Sequence, residues 1–369
     1  MDRRGQDAAQ TPCAGYVRGV FGRLPRADQR RWAEAYLRGL LTTHGKKSLR
    51  RMAESARLSP TAWQSLQQFV NDSSWQWRPV RDDLADWVAR RTPVRAWTLA
   101  PLVIPRGGHL SAGVHRRFDP VRGRTVNCQY ALGLFLTTDA GDFSVDWQLY
   151  LPRHWTDEPR LRSRARIPEP AAHRSAVELS LDMVDRRSRT GFRPLPVLVG
   201  PDAQLDTTAL VRGLDARGHL WIVALPEGTV CPAARRAGRR AVVSAVPVGG
   251  AAHGLLAPAA APERTRLLVH ENPTGVSRPG RTWLTNLPPE RHEEALALIA
   301  AHSGPATGAA ELDLGMADFA GRSYPGWHRN ATLVSAALAH RGLGRPGDGG
   351  RATGDPGRLG PPPPRTGHE

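Results

Sequence analysis

The order of helical and strand patterns between residues 99 and 225 constrains the fold of this chain most strongly. In chain order, strands are predicted at residues 99–104, 127–136 and 143–151, a helix at 175–186, a strand at 195–199, a helix at 207–217 and a strand at 220–225. Strands that alternate with helices form a mixed or parallel sheet covered by helices. We therefore predict an α/β fold.

Helical patterns precede this segment. Residues 16–95 are predicted to form a helical N-terminal domain that follows a disordered segment at 1–15. Within it, residues 31–41 place apolar side chains at helical spacing, and Ser59-Pro60 is predicted to cap a further helix. Such short helices with basic faces suit either a DNA-binding module or a helical domain with a solvated basic surface.

The rest of the chain is assigned to a second domain, residues 96–341, and a tail. A weakly patterned stretch at 226–282 is rich in Ala, Arg, Gly and Pro and is interpreted as a small β insertion. Helices are expected at 288–302 and 331–339. Residues 342–369 are rich in Gly and Pro, so we expect this tail to be disordered.

The net charge of +17 and the pI of about 11.2 favour a polyanionic partner, because each neutralised phosphate releases counterions. Nearly all of the positive charge is Arg, however, and Lys46 and Lys47 are the lysines of the chain. Abundant Arg, Ala, Gly and Pro are also typical of a GC-rich genome. The charge is therefore compatible with nucleic acid binding but does not establish it.

Several classes of protein are excluded by what the sequence lacks. Cys13, Cys128 and Cys231 are scattered and form no CxxC pair, which excludes a disulfide framework and a cysteine zinc site. No apolar run approaches the roughly 20 residues of a membrane span, and the N-terminus has no signal-peptide pattern. We expect a cytoplasmic protein without a membrane partner. P-loop, Rossmann glycine and G-x-S-x-G motifs are absent.

A series of short strings carries a family resemblance. They are Lys46-Lys47-Ser48, residues 69–75 (FVNDSSW), Ser111-Ala112-Gly113-Val114 with Asn127-Cys128-Gln129, residues 146–152 (DWQLYLP) with Trp155, residues 283–288 (WLTNLP), and residues 321–328 (GRSYPGWH) with Thr332-Leu333. In this order, over roughly residues 16–341, they resemble motifs of the DDE transposases of bacterial insertion sequences.

The resemblance implies a ribonuclease-H-like mixed sheet in which strands 99–104 and 195–199 are adjacent and parallel. It also implies DNA as the partner and leaves a homo-oligomer open. Enzymes of this family cut and join DNA with two divalent metals, commonly Mg²⁺, that three carboxylates hold. Because Mg²⁺ requires oxygen ligands, apolar residues cannot replace those acids.

The sequence departs from the family at the places of all three acids. The first belongs to a string like V-I-D-D-T-G-F-P-K-x-G, but Val103-Ile104 continues directly into Pro105, so we align the acid with a deletion. The second, in V-A-D-A-G-Y-G-D, falls on Pro201, and Asp202 lies one residue late, which reverses its direction on an extended chain. Counting back from the L-G-L motif places Gly304 at the third.

The nearest surviving acids are Asp202, Glu311 and Asp313, and they are our candidate catalytic residues, with the metal ligands unknown. Glu311 and Asp313 lie about two helical turns beyond the expected position, where a solvated surface role is favoured. Asp202 or Asp206 equally suits a turn or a helix N-cap. The candidate DNA-binding residues are Lys46, Lys47, Arg50, Arg51, Arg322 and His328.

Three functions remain open at this point. The leading interpretation is a transposase-derived protein that retains a basic DNA-facing surface but has little or no strand-transfer activity. The first alternative is an active metal-dependent DNA endonuclease with a rearranged site that recruits another acid, such as Asp119 or Asp146. The second is a domesticated, non-enzymatic protein that binds DNA or has a regulatory role.

Overall fold

The structure, a computed structural model, describes residues 14–119, 123–189, 194–200, 205–225, 241–246, 266–271, 281–302 and 307–344. Its first helices are α1 (Ala14–Phe21), α2 (Ala27–Thr42), α3 (Leu49–Ser55), α4 (Ala62–Asn71) and α5 (Trp77–Ala89). The predicted helical content of this region is confirmed, but the predicted cap is wrong. Residues 59–61 form a turn in which Ala62 N donates to Ser59 O, so α4 begins after Thr61.

The first six strands form the centre of the sheet. They are β1 (Val94–Pro105), β2 (His115–Asp119), β3 (Arg124–Thr138), β4 (Gly141–Leu149), β5 (Val197–Val199) and β6 (Trp221–Ala224). β3 is antiparallel to β1, β2 and β4, whereas β5 lies parallel between β1 and β6. This is the strand order of a ribonuclease-H-like sheet, so the predicted fold and the adjacent parallel strands are confirmed.

Helices flank this sheet. They are α6 (Arg153–Asp157), α7 (Pro159–Arg164), α8 (Ala176–Ser188) and α9 (Thr207–Ala216). The N-terminus of α8 is fixed by a capping box, in which the Ser175 hydroxyl accepts from Glu178 N and the Glu178 carboxylate accepts from Ser175 N. The helices predicted at 175–186 and 207–217 are thereby confirmed.

Strands also form within the predicted insertion. β7 (Ala241–Val246) and β8 (Arg266–Glu271) pair with each other, and β8 pairs with β9 (Arg281–Thr285). Since β9 also pairs with β6, these strands extend the central sheet, which has nine strands among the described residues. The rest of residues 226–282 lies outside the described ranges.

The last elements are a 3₁₀ turn (Pro289–Arg291), α10 (His292–His302), α11 (Ala309–Glu311), a π-helical turn (Leu312–Met316) and α12 (Tyr324–Leu343). α12 begins earlier than the sequence predicts, because Ser323 caps it and Pro325 fits its first turn. Residues 326–340 of this helix are buried on all sides, as expected of a central core helix. The predicted disordered segments at 1–15 and 342–369 lie mostly outside the described ranges.

One hydrophobic core joins the N-terminal helices to the sheet. It contains Tyr16 and Leu37 from the first helices, Trp147 from β4, and Leu333 from α12. The predicted boundary at residues 95 and 96 therefore does not coincide with a gap in the packing. None of the helices in the described part of the chain is long and apolar enough to cross a membrane.

Candidate functional site

The carboxyl ends of β1 and β5 mark the edge where the family places its metal site. In the parallel pair, Trp97 lies opposite Val197 and Leu99 opposite Val199, where β5 ends. β1 continues beyond this level to Pro105, paired with β3 alone. The residue of β1 that follows the end of β5 is therefore Ala100, which is 8% exposed.

This register allows a second alignment of the first acid besides the predicted deletion. Without any gap, the string V-I-D-D-T-G-F-P-K-x-G runs from Thr98 to Gly108, and Pro105 and Arg106 match its P-K pair. The first D then falls on Ala100, next to the end of β5. Neither alignment provides the first acid: one deletes its position, and the other places Ala100 there.

The other two positions of the family's acids cannot be placed. Pro201, Gly304 and the candidate acid Asp202 lie outside the described residues. Asp206 caps α9, because its carboxylate accepts a 2.9 Å hydrogen bond from Ala209 N. The prediction of a cap at Asp202 or Asp206 is thus confirmed for Asp206.

Glu311 does not have the solvated role that we predicted for it. Its side chain is 3% exposed, and burial raises the pKa of its carboxyl group, although a hydrogen bond with Ser144 opposes the shift. Ser144 belongs to β4, which β3 and β1 separate from β5. Three strand spacings amount to about 14 Å, so Ser144, the partner of the Glu311 carboxyl, lies about that far from β5. Asp313, in contrast, is exposed as predicted.

Asp146, which the first alternative offers as a recruited catalytic acid, forms two ion pairs. Its carboxylate oxygens lie 2.9 Å from Arg81 Nη1 and 3.0 Å from Arg186 Nη2, and the residue is 7% exposed. Burial alone would raise the pKa of Asp146, but the charges of Arg186 and Arg81 outweigh it and lower the pKa overall. The other alternative, Asp119, is buried at the end of β2.

The described residues do not fit the family's metal. Among them, no group of three His, Cys, Asp or Glu side chains is arranged to hold a metal ion. At the edge itself, Leu99, Ala100 and Val199 offer no side-chain oxygen, which Mg²⁺ requires.

Arg81 explains why the D-W and G-W-H strings lie together in space. Besides Asp146, its guanidinium donates to Trp147 O at 2.8 Å, to Thr332 Oγ1 at 2.8 Å and to His328 O at 3.0 Å. One side chain of α5 thus joins β4 to α12. Sequence reasoning missed Arg81 and Arg186, since no local pattern marks a side chain whose partners are far away in the chain.

His328 lies inside this network and not on a surface that DNA could reach. It is 1% exposed, and its ring stacks on Trp77 with a centroid distance of 4.8 Å. Burial and then the charge of Arg81 lower the pKa of His328 well below its usual range, which keeps the ring neutral. The structure therefore assigns His328 to the core contacts of α12.

The N-C-Q string holds the loop that follows β1. Asn127 Nδ2 donates to Arg106 O at 3.0 Å and to Gly108 O at 2.8 Å, and Gln129 Nε2 donates to Ala112 O at 2.6 Å. Arg106 in turn donates to the carbonyl oxygens of Ala317 and Phe319 at 2.8 and 3.0 Å. The loop after β1 and the segment after the π-helical turn are thereby fixed together.

The predicted basic residues 46–51 form a turn and the start of α3, here called the basic turn. Lys46, Arg50 and Arg51 are exposed, and the Arg50 guanidinium lies 4.8 Å from the centroid of the Trp63 ring. Lys47 is half-buried: its backbone N donates to Asp318 Oδ2 at 2.7 Å.

The basic turn packs on the segment that follows Glu311. A Cβ atom at Gly315 would lie 2.8 Å from Lys47 Cγ, and the positive φ of Gly315, 111°, also favours glycine. Burial lowers the pKa of Lys47, against the opposing charge of Asp318. Arg322, the remaining candidate, is exposed near the loop after β1, since its carbonyl accepts from Ala112 N.

Comparison with known proteins identifies the family of the chain. A family model described as DDE superfamily endonuclease matches residues 19–264, and the chain belongs to that family. A similar solved structure is the piggyBac transposase synaptic complex with hairpin DNA, at 9% sequence identity and a TM-score of 0.42, covering 91% of this chain and 71% of that chain. No curated protein matches the sequence.

Proposed function

We propose that this protein is a DDE-family DNA-binding protein with little or no strand-transfer activity. The observation that carries the proposal is the end of β5 beside β1, where the gapless alignment gives Ala100 and no carboxylate for the family's first acid. A methyl group cannot coordinate a cation, and two divalent metals bring four positive charges that several carboxylates must neutralise.

Among the described residues, the candidate acids do not compensate for Ala100. Glu311 hydrogen-bonds on the β4 side of the sheet, and Asp146 is held by Arg81 and Arg186. Asp313 is exposed on the π-helical turn. The family's divalent metal, Mg²⁺ in our expectation, would therefore lack its first ligand.

DNA binding rests on the positive charge and on the basic turn. Exposed Arg and Lys side chains that neutralise phosphates give a sequence-independent affinity, with a Kd on the order of 10⁻⁴–10⁻⁶ M at physiological salt. Lys46, Arg50 and Arg51 are exposed side by side on the turn, and Asp318 and Gly315 fix its backbone through Lys47.

A cleavage assay tests the loss of catalysis. The purified chain is incubated with supercoiled DNA and with linear duplex in Mg²⁺ or Mn²⁺, and nicked or joined products are measured. We expect none above the level without metal. Cleavage that Asp202→Ala abolishes would overturn the proposal in favour of an active endonuclease with a rearranged site, with Asp206→Asn as the matched control.

A further inference from the structure

Three rings lie together where α5 and α12 begin. The ring of Trp77 lies parallel to that of His328 with the centroids 4.8 Å apart, and the ring of Tyr324 meets Trp77 edge-on at 6.3 Å. Tyr324 also meets His328 edge-on, at a centroid distance of 4.4 Å. His328 is buried, and its Nδ1 lies 3.2 Å from Arg81 Nη2. The buried network of Arg81 thus holds the two outer rings, Trp77 and Tyr324, in fixed positions.

The polar atoms of these outer rings have no partner. Trp77 and Tyr324 are half-buried, and within the described ranges neither the indole N–H nor the phenolic hydroxyl forms a hydrogen bond. Trp and Tyr side chains that are packed into a protein usually find a partner for these groups. Arg78, the residue after Trp77, is exposed and forms no ion pair with any described residue. Three neighbouring donors are therefore available to a ligand.

The charge around the Tyr324 hydroxyl is positive. Burial raises the pKa of this hydroxyl, so it keeps its proton and can donate at neutral pH. The charges of Arg81, Arg78 and Arg186 act to lower the same pKa, and that of Asp146 acts to raise it. Asp146 pairs with Arg81 and Arg186, which leaves the charge of Arg78 without a carboxylate partner among the described residues.

From this arrangement we infer that Trp77, Arg78 and Tyr324 form a site for one phosphate group of a DNA strand. The Arg guanidinium and the Trp indole are donors only, so the ligand must supply acceptor oxygens. The surplus positive charge favours an anion, and the planar guanidinium matches the geometry of phosphate oxygens. The inference rests on the proposed DNA binding and adds a second contact surface to the basic turn.

The test measures binding of the full-length chain to a short DNA duplex by fluorescence anisotropy over a series of salt concentrations. Tyr324→Phe should weaken binding about 10-fold without changing the slope of log K against log salt concentration, because the hydroxyl carries no charge. Arg78→Ala should weaken binding and flatten this slope by about 0.9, the contribution of one phosphate contact. Arg90→Ala, an exposed residue at the other end of α5, loses the same formal charge and should bind like the wild type.

The outcomes separate the inference from the proposed function. If Arg78→Ala and Tyr324→Phe bind DNA like the wild type, the phosphate site is wrong while DNA binding stands. If the wild type does not bind DNA even at low salt, both proposals fail. If the two substitutions weaken binding of an oligoglutamate peptide but not of DNA, the site takes the carboxylates of a protein partner and the inference is overturned.

Thermal unfolding distinguishes a binding role of the Tyr324 hydroxyl from a structural one. Because this hydroxyl has no hydrogen-bond partner among the described residues, Tyr324→Phe should unfold at the same temperature as the wild type or at a higher one. A lower melting temperature would assign the hydroxyl to the fold and contradict the inference.

Discussion

The carboxylate of Asp146 neutralises two guanidinium groups that reach it from α5 and α8. Because the Arg81 side chain is 3% exposed, it has no water to compensate its charge when this partner is removed. Removing one partner of a buried ion pair costs about 3–5 kcal/mol. We therefore expect Asp146→Asn to lower the free energy of unfolding by about that amount, as measured by urea denaturation at pH 7.

The ion pair of Asp146 with Arg81 also predicts how the free energy of unfolding changes with pH. The pKa of Asp146 is lowered in the folded state, so its contribution is complete above the unfolded pKa of about 3.9 and is lost as pH falls through the folded value. The difference between wild type and Asp146→Asn should be constant from pH 5 to 8. Asp139→Asn, at an exposed pair with Arg95, is the control and should leave unfolding unchanged. Equal effects of the two variants would contradict a special role for burial.

For Glu311 we expect the stability to depend on pH in the opposite direction. Burial raises the pKa of its carboxyl group, so the folded state holds a proton that the unfolded state releases. Its stabilising contribution is present below the unfolded pKa of about 4.3 and is lost as pH rises through the folded value. The melting temperature of Glu311→Gln, relative to that of the wild type, should therefore rise as the pH is increased from 5 to 8. Asp313→Asn, at the exposed carboxylate two residues later, should show no such gain.

Among the elements, α9 offers a test that separates a structural acid from a catalytic one. Asp206 accepts from Ala209 N at the first turn of α9, and loss of such a cap costs about 1 kcal/mol. Asp206→Ala should destabilise the protein by about that amount in urea denaturation. Asp206→Asn should be close to wild type, since Asn caps helices about as well as Asp. A large loss in Asp206→Asn would point to a role for the charge itself.

The elements that the sequence predicted correctly are those with a local cause. The helices at α8 and α9 follow from apolar spacing and from capping residues next to them in the chain. β4 was predicted from its alternating apolar and polar residues, although the structure buries both of its faces. These patterns need no knowledge of the partner, so one sequence suffices to find them.

The register of β1 could not be predicted, because it depends on partners far away in the chain. The local pattern predicted that β1 reaches the end of β5 at Ile104, whereas the pairing with β5 ends at Leu99. Pro101 lies within this strand. It is tolerated because β5 has ended at that level, so no neighbour on that side requires its missing N–H.

The candidate site was predictable only in part for the same reason. The family strings identified Asp146, Gln129 and His328, but their contacts reassign them to holding the fold. Arg81 is distant in sequence from its partners Asp146 and His328, so no spacing rule could find it.

At the scale of the whole molecule, the net charge of +17 has two explanations that a measurement of DNA binding separates. If the net charge reflects codon usage alone, neutralising any set of Arg or Lys residues should weaken DNA binding equally. If it serves DNA binding, the loss of affinity depends on which positions are neutralised. The basic turn and α1 with the start of α2 lie at opposite ends of α2, whose 16 residues span about 24 Å.

The decisive comparison neutralises four charges at each end. The first variant replaces Lys46, Lys47, Arg50 and Arg51 with Ala, and the control replaces the exposed Arg18, Arg23, Arg26 and Arg31. Both lose the same formal charge, so a general electrostatic effect would weaken them equally. Each phosphate contact contributes about 0.9 to the slope of log K against log salt concentration. With the exposed Lys46, Arg50 and Arg51 as the phosphate contacts, we expect the first variant to flatten this slope by about 3. The control should keep the wild-type slope, in anisotropy titrations between 50 and 200 mM salt. If the two variants have equal slopes, the basic turn is not the surface that contacts DNA.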